Sequence, residues 1–99
     1  MDYNPAMDFE WDEAKSDLCF EQRGFDFRYV SSAFLDENRV IRADQRFEYG
    51  EERFQMLGQV DGRVFQVAFT MRSTRVRVIS AYKANLREVK DYENGTYES

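Results

Sequence analysis

Arginine and lysine side chains are concentrated in one stretch of this 99-residue chain, although the chain as a whole is acidic. Residues 53–90 hold eight basic and two acidic side chains, whereas the remainder holds six basic and 17 acidic ones. Arginine suits phosphate because its planar guanidinium offers a bidentate hydrogen-bonding fork. The asymmetry indicates a surface that faces a polyanion, with ion pairs to the acidic remainder as the alternative interpretation.

A strand predicted over 75–82 determines where two of these arginines point. Side chains alternate along a strand, so Val76 and Val78 face the core while Arg75 and Arg77 stand on the outer face. Guanidinium groups on one open face repel each other unless an anion lies between them. This arrangement favours an anion-binding site.

The same alternation assigns Tyr82 to the side of the valines. A tight turn at residues 73–74 would bring Arg72 close to Arg75, which adds a third guanidinium to the outer face.

Several chemistries are excluded by residue type. The chain has no histidine and one cysteine, Cys19, which rules out an internal disulfide, structural zinc and histidine-based catalysis. No apolar run resembles a signal peptide or a membrane span, so we expect a soluble cytoplasmic protein with no membrane role.

The amino-terminal third predicts a short strand and two helices. Residues 7–11 alternate apolar and acidic side chains, which is typical of a half-buried strand. Asp12 suits the N-cap of a helix that covers residues 15–22, and Gly24 suits its left-handed end. A second helix is expected over 27–35, where apolar residues recur at helical spacing.

From residue 40 onward the apolar period changes to two and predicts four strands, at 40–47, 53–60, 63–72 and 75–82. Short connections, including Asp-Gly at 61–62, make the last three an antiparallel meander. A helix over 84–92 follows, and the tail 93–99 is expected to fray.

The fold class is therefore α+β, with residues 1–99 forming a single domain and its core spanning about 7–92. We expect a small twisted antiparallel sheet of three or four strands plus the short amino-terminal strand. Two amino-terminal helices and one carboxy-terminal helix would cover one face, with Leu18, Leu86 and Val89 turned inward.

Taken together, these residues resemble the BrnT family of bacterial toxins, which have a RelE-like fold. The resemblance covers about residues 9–92, nearly the whole chain. The matching stretches are FEWDEAK (9–15), Gly24 with Phe27, FLD (34–36), Asp44, GEERFQMLG (50–58), TMRSTRVRVISAYKANLRE (70–88) and Tyr92.

The resemblance implies a ribonuclease toxin of a type II toxin–antitoxin pair that inhibits growth by cleaving RNA without a metal or other cofactor. Its partner would be a BrnA-like antitoxin with a ribbon-helix-helix fold. That antitoxin would bind DNA, so the toxin would take part in operon repression only indirectly.

Metal-free RNA cleavage requires deprotonation of the 2′-OH, stabilisation of the charged phosphate and protonation of the 5′-oxygen. Arg72 and Arg77 are the candidates for charge stabilisation, and Lys15, Tyr82 and Glu88 are the candidates for proton transfer. Nearby cations would lower the pKa of a Lys or Tyr side chain. The candidates for binding further RNA phosphates are Arg23, Arg53, Arg75, Lys83 and Arg87.

Two stretches depart from the family pattern. Family members usually have Lys-His-Gly where this chain has Gln22, Arg23 and Gly24, and they usually have Ser-Ala-Arg where it has Ser80, Ala81 and Tyr82. A second interpretation is therefore a catalytically degenerate module that binds the antitoxin and contributes only to repression.

Overall fold

A computed structural model of the chain describes residues 8–44 and 50–98. Its elements, in order, are β1 (Asp8–Trp11), α1 (Glu13–Arg23), α2 (Phe27–Ser31), a 3-10 turn (Ser32–Leu35), β2 (Val40–Ala43), β3 (Arg53–Val60), β4 (Arg63–Arg72), β5 (Arg75–Lys83) and α3 (Leu86–Asn94). The α+β class is confirmed. Residues 45–47 of the strand predicted at 40–47 lie outside the described residues.

The five strands form one sheet in the order β1-β5-β4-β3-β2. The predicted meander is confirmed, since β3, β4 and β5 pair antiparallel in sequence order. The strand β1 pairs parallel with β5, which makes the sheet mixed and adds an edge strand to the antiparallel part. This pairing joins residues far apart in sequence, so no local sequence pattern predicts it.

The helix ends follow the predicted capping chemistry. The Asp12 side chain accepts hydrogen bonds from the first backbone N–H groups of α1, and Gly24 ends that helix at φ 87°. Asp26 caps α2 in the same way. At α3, Asn85 and Glu88 form a reciprocal capping box.

The core lies between α1, α2 and one face of the sheet, here called the core face. Its largest fully buried members include Met56, Val67 and Val78. Leu18 was expected to point inward, which is wrong: it is 50 % exposed. Ser16 and Cys19 face inward instead, and the Ser16 hydroxyl accepts a hydrogen bond from the Phe27 backbone N–H at 3.0 Å.

The helix α3 lies on the opposite face of the sheet, so the expectation that all helices cover one face is wrong. It contacts β3 and β4, where Leu57 and Val64 alternate away from the core face and are buried. Leu86 was also expected inward but is 82 % exposed. The capping box turns Glu88 toward the sheet in its place.

The carboxy-terminal tail is folded as far as Glu98, contrary to the expected fraying. The helix α3 extends to Asn94, and Gly95 ends it in a left-handed conformation. The Arg42 guanidinium carbon then lies 3.8 Å from the centroid of the Tyr97 ring, in cation–π contact. The Glu98 backbone N–H donates to the Asp91 carboxylate at 3.0 Å.

A bulge in β5 changes which side chains share a face. Ala68 pairs with Ser80 but its neighbour Phe69 pairs with Val78, so Ile79 is an extra residue. Beyond the bulge Ala81 enters the core at 1 % exposure. Tyr82 and Ser80 consequently join the arginines, which corrects the assignment of Tyr82 to the side of the valines.

Within the described ranges, no helix is long and apolar enough to cross a membrane.

Candidate functional site

The face of the sheet opposite the core face, here called the outer face, gathers most of the strand arginines that the structure describes. The strand pairing places the side chains of Arg53, Thr70 and Arg77 in one row across β3, β4 and β5. Arg72 and Arg75 face each other in the next row, at the β4–β5 turn. These four arginines lie in two neighbouring rows, and we refer to them together as the arginine row: Arg53, Arg72, Arg75 and Arg77.

A carboxylate from β1 holds one half of the arginine row. The Arg77 Nη1 donates to Glu10 Oε2 at 3.0 Å, and the Arg75 Nη1 donates to Glu10 Oε1 at 3.5 Å. These interactions, with that of Arg77 the stronger, lower the pKa of Glu10 below its usual value. Glu10 is therefore an ionised counter-ion that fixes the position of Arg77.

Glu51 neutralises the other half of the arginine row at longer distances. Its carboxylate lies 3.7 Å from Arg72 Nη2 and 3.6 Å from Arg53 Nε. Glu10 and Glu51 are thus two counter-ions of the arginine row within residues 8–44 and 50–98. Guanidinium groups held by carboxylates in this way can exchange them for the phosphates of a polyanion.

Next to the arginine row the outer face opens into a groove of about 580 Å³. Its floor is made by the small side chains of Ala68 and Ser80, which are paired across β4 and β5. Polar side chains border it, and Arg42 Nε donates to Gln55 Oε1 at 2.8 Å on one side. The lining residues are Arg42, Ala43, Asp44, Gln55, Gln66, Ala68, Ser80 and Tyr82.

A cluster of two tyrosines and one carboxylate closes the far end of the groove. Glu88 Oε2 accepts from the Tyr82 hydroxyl at 2.8 Å and from the Tyr97 hydroxyl at 3.3 Å. Its Oε1 accepts from the Asn85 backbone N–H at 3.0 Å. Both oxygens of Glu88 are engaged, so this carboxylate acts as a structural clamp between α3 and the sheet.

The expectation that nearby cations lower the tyrosine pKa is wrong for Tyr82. Burial, together with the hydrogen bond to Glu88, raises the pKa of Tyr82 far above its ordinary value of 10. The phenol stays neutral at every physiological pH. It can donate a hydrogen bond but cannot serve as a general base.

The remaining predicted site residues lie away from the arginine row. Lys15 and Arg23 border a cleft of about 280 Å³ at the edge of β5, beyond the end of β1, where Ser80 also contributes. Lys83 lies at the other side of the sheet beside Phe65, near the carboxy-terminal end of α1. Arg87 is exposed on α3.

Several residues of the outer face were not anticipated as site residues. Glu10 reaches the arginine row through the parallel pairing of β1 with β5, and Arg42 contacts both Gln55 and the folded tail. One signal was available, since Gln55 and Gln66 are polar residues inside the mainly apolar strands β3 and β4. The unanticipated residues are Glu10, Arg42, Glu51, Gln55, Gln66, Ser80 and Tyr97.

No group of three or more His, Cys, Asp or Glu side chains in residues 8–44 and 50–98 is placed to hold a metal ion.

The fold and the arginine row define a small α+β protein with a group of arginines on one sheet face. A family model described as the ribonuclease toxin BrnT of type II toxin–antitoxin systems matches residues 11–88. The chain therefore belongs to the BrnT family of ribonuclease toxins. No protein in a search of curated sequences matches it. The predicted resemblance is confirmed.

Proposed function

We propose that this protein is a metal-independent endoribonuclease that binds RNA on the outer face and inhibits growth by cleaving it in the cytoplasm. The observation that carries the proposal is the arginine row beside an open polar groove. Family membership supports the same activity class. The protein would be neutralised by a BrnA-like antitoxin that competes with RNA for the arginine row.

The chemical step is an attack of the ribose 2′-oxygen on the neighbouring phosphorus, with departure of the 5′-oxygen. Charge accumulates on the non-bridging oxygens, and Arg77 and Arg72 would stabilise it. Glu10 holds Arg77 in place before substrate arrives. Arg53 and Arg75 would contact the adjacent phosphates along the strand.

Proton transfer is the weaker part of this site. The chain has no histidine, Tyr82 is neutral, and Glu88 is fully engaged. Lys15 lies away from the arginine row but borders Ser80 at the β5 edge, so it is the candidate proton donor for a substrate that spans the groove and brings its 5′-oxygen to this amine. Solvent hydroxide would then remove the 2′-proton, so the cleavage rate should rise with pH from 6 to 9 without a plateau.

Replacing Arg77 with Ala tests the proposal directly. We expect cleavage of a labelled oligoribonucleotide by the purified, antitoxin-free protein in EDTA to fall by about 10²–10³-fold, because a preorganised donor to the phosphate is lost. Arg63→Ala is the matched control, since Arg63 is an exposed arginine at the opposite end of β4. Equal cleavage by the Arg77 variant and the wild type would contradict the proposed site.

A degenerate, antitoxin-binding module is the second candidate function. It is favoured by the engagement of Tyr82 and Glu88 with each other, which withdraws two candidate proton-transfer groups. Induced expression in a bacterial host, alone and with the neighbouring gene, separates the two functions. Growth arrest that Arg77→Ala abolishes and the neighbour rescues supports the toxin; abundant soluble protein without arrest supports the module.

A further inference from the structure

Gln66 is the unexplained polar residue of the outer face. It lies in the middle of β4, is 3 % exposed, and borders the groove beside the arginine row. Its side chain lies beside Tyr97, whose pKa is raised by burial and partly lowered by the interaction with Gln66. The Gln66 Oε1 atom has no hydrogen-bond partner in the described part of the chain.

A buried acceptor without a partner is unfavourable, because the group has lost water and gained nothing in return. An apolar residue of similar length would pack in the same place without this cost. An N–H donor that enters the groove would satisfy Gln66. The position is therefore suited to a ligand that carries such a donor.

The shape of the groove fits a flat, polar group. Ala68 and Ser80 leave the floor open, and Gln55 is held in one orientation by its hydrogen bond from Arg42. On β4, Ala68 lies two residues from Thr70, a separation of about 7 Å, and on β5 the bulge makes Ser80 three residues from Arg77. A nucleotide whose phosphate binds Arg77 can therefore place its base in the groove.

We propose that the groove is a nucleobase subsite in which the Gln66 carboxamide oxygen accepts a hydrogen bond from the exocyclic amine of an RNA base. This inference rests on the proposed function and deepens it, since it names the feature of the substrate that the outer face reads. Adenine, cytosine and guanine carry such an amine, whereas uracil offers only its ring N3–H as a donor on that edge. Side-chain amides pair with base edges in the same way elsewhere.

Binding of two oligonucleotides that differ in one amine tests the subsite. The first is a 2′-O-methyl oligoadenosine, which cannot be cleaved; the second carries purine in place of adenine and lacks the amine. The wild type should bind the first about two- to tenfold more tightly, the range for one hydrogen bond. Gln66→Met should remove this difference, and the matched control Gln59→Met, on the exposed end of β3, should keep it.

Two further variants keep the outcomes distinct. Ser80→Leu fills the groove from an exposed position and should also remove the discrimination, so the test survives if Gln66→Met folds poorly. Arg77→Ala should weaken both oligonucleotides equally. The subsite is wrong if the wild type binds both oligonucleotides equally, or if Gln66→Met and Ser80→Leu still prefer the first one. If Arg77→Ala nevertheless weakens binding of both, the proposal that the outer face binds RNA stands. Failure of the wild type to bind either oligonucleotide would remove both proposals.

Discussion

The two faces of the sheet carry different properties although they are built from the same strands. On the core face, Phe69 packs against Phe34 and Phe54 with ring centroids 5.0 and 5.4 Å apart. One residue away on β4, Thr70 turns to the outer face and stands between Arg53 and Arg77. Alternation along a strand thus separates apolar packing from charge.

This comparison predicts that stability and the proposed RNA binding can be changed independently. The core face buries large apolar side chains beneath α1 and α2, and hydrophobic burial is the dominant stabilising contribution. The arginines of the outer face are partly exposed and paired with two carboxylates, so they contribute little to folding. Under the proposed function, their positions serve contact with RNA phosphates.

Phe69→Ala should give the largest loss of stability. Removing a buried phenylalanine side chain costs about 3–5 kcal/mol in the free energy of unfolding, because transfer energy is lost and a cavity is left. Chemical denaturation monitored by circular dichroism measures this. Met71→Ala is the control, since Met71 lies two residues further on the same face but is 47 % exposed.

Arg77→Ala provides the contrast on the outer face. It should change the free energy of unfolding by less than about 1 kcal/mol, as is usual for a partly exposed ion pair, while abolishing most cleavage. Unfolding of the Arg77 variant under conditions where Met71→Ala is native would show that the two faces are not independent.

After Phe69→Ala, Gly58→Ala should have the largest effect on stability. A Cβ atom at Gly58 would lie 2.9 Å from the Ala33 backbone oxygen and 3.0 Å from the Ala33 Cβ, so β3 and the 3-10 turn would have to separate. We expect a loss of about 1–3 kcal/mol, the usual cost of overpacking. The neighbouring Gln59→Ala, which points away from this contact, should be nearly neutral; equal melting temperatures for both variants would contradict the close approach.

Local elements of this fold follow from the sequence because their causes are local. Asp12, Gly24 and Asp26 act on backbone groups within a few residues, and the alternating strands carry their own period. The position of α3 was missed for the opposite reason. Whether Leu86 or Glu88 faces the sheet depends on the capping box and on Tyr82, which the bulge at Ile79 reorients.

The candidate site could be predicted only in part. Alternation placed Arg75 and Arg77 on the outer face, and the turn added Arg72. The counter-ion Glu10 required the parallel pairing of β1 with β5, and the groove required two small residues to meet across strands. These are non-local contacts, which no residue spacing encodes.

Glu10→Gln should have the smallest effect, and it tests what the ion pairs of the outer face contribute to stability and to RNA affinity. The pKa of Glu10 is lowered in the folded protein, so its ion pairs stabilise the fold above the unfolded value near 4.5, and this contribution is lost as pH falls through the folded pKa. The variant should therefore be slightly less stable than the wild type near pH 7 and equally stable at the acidic end of the curve. Because a competing carboxylate is removed from Arg77, its RNA affinity at pH 7 should rise by less than about fivefold. Lower RNA affinity would instead mean that Glu10 positions Arg77 more than it competes with phosphate. RNA binding would then depend on the packing of β1, and the two faces would not be independent.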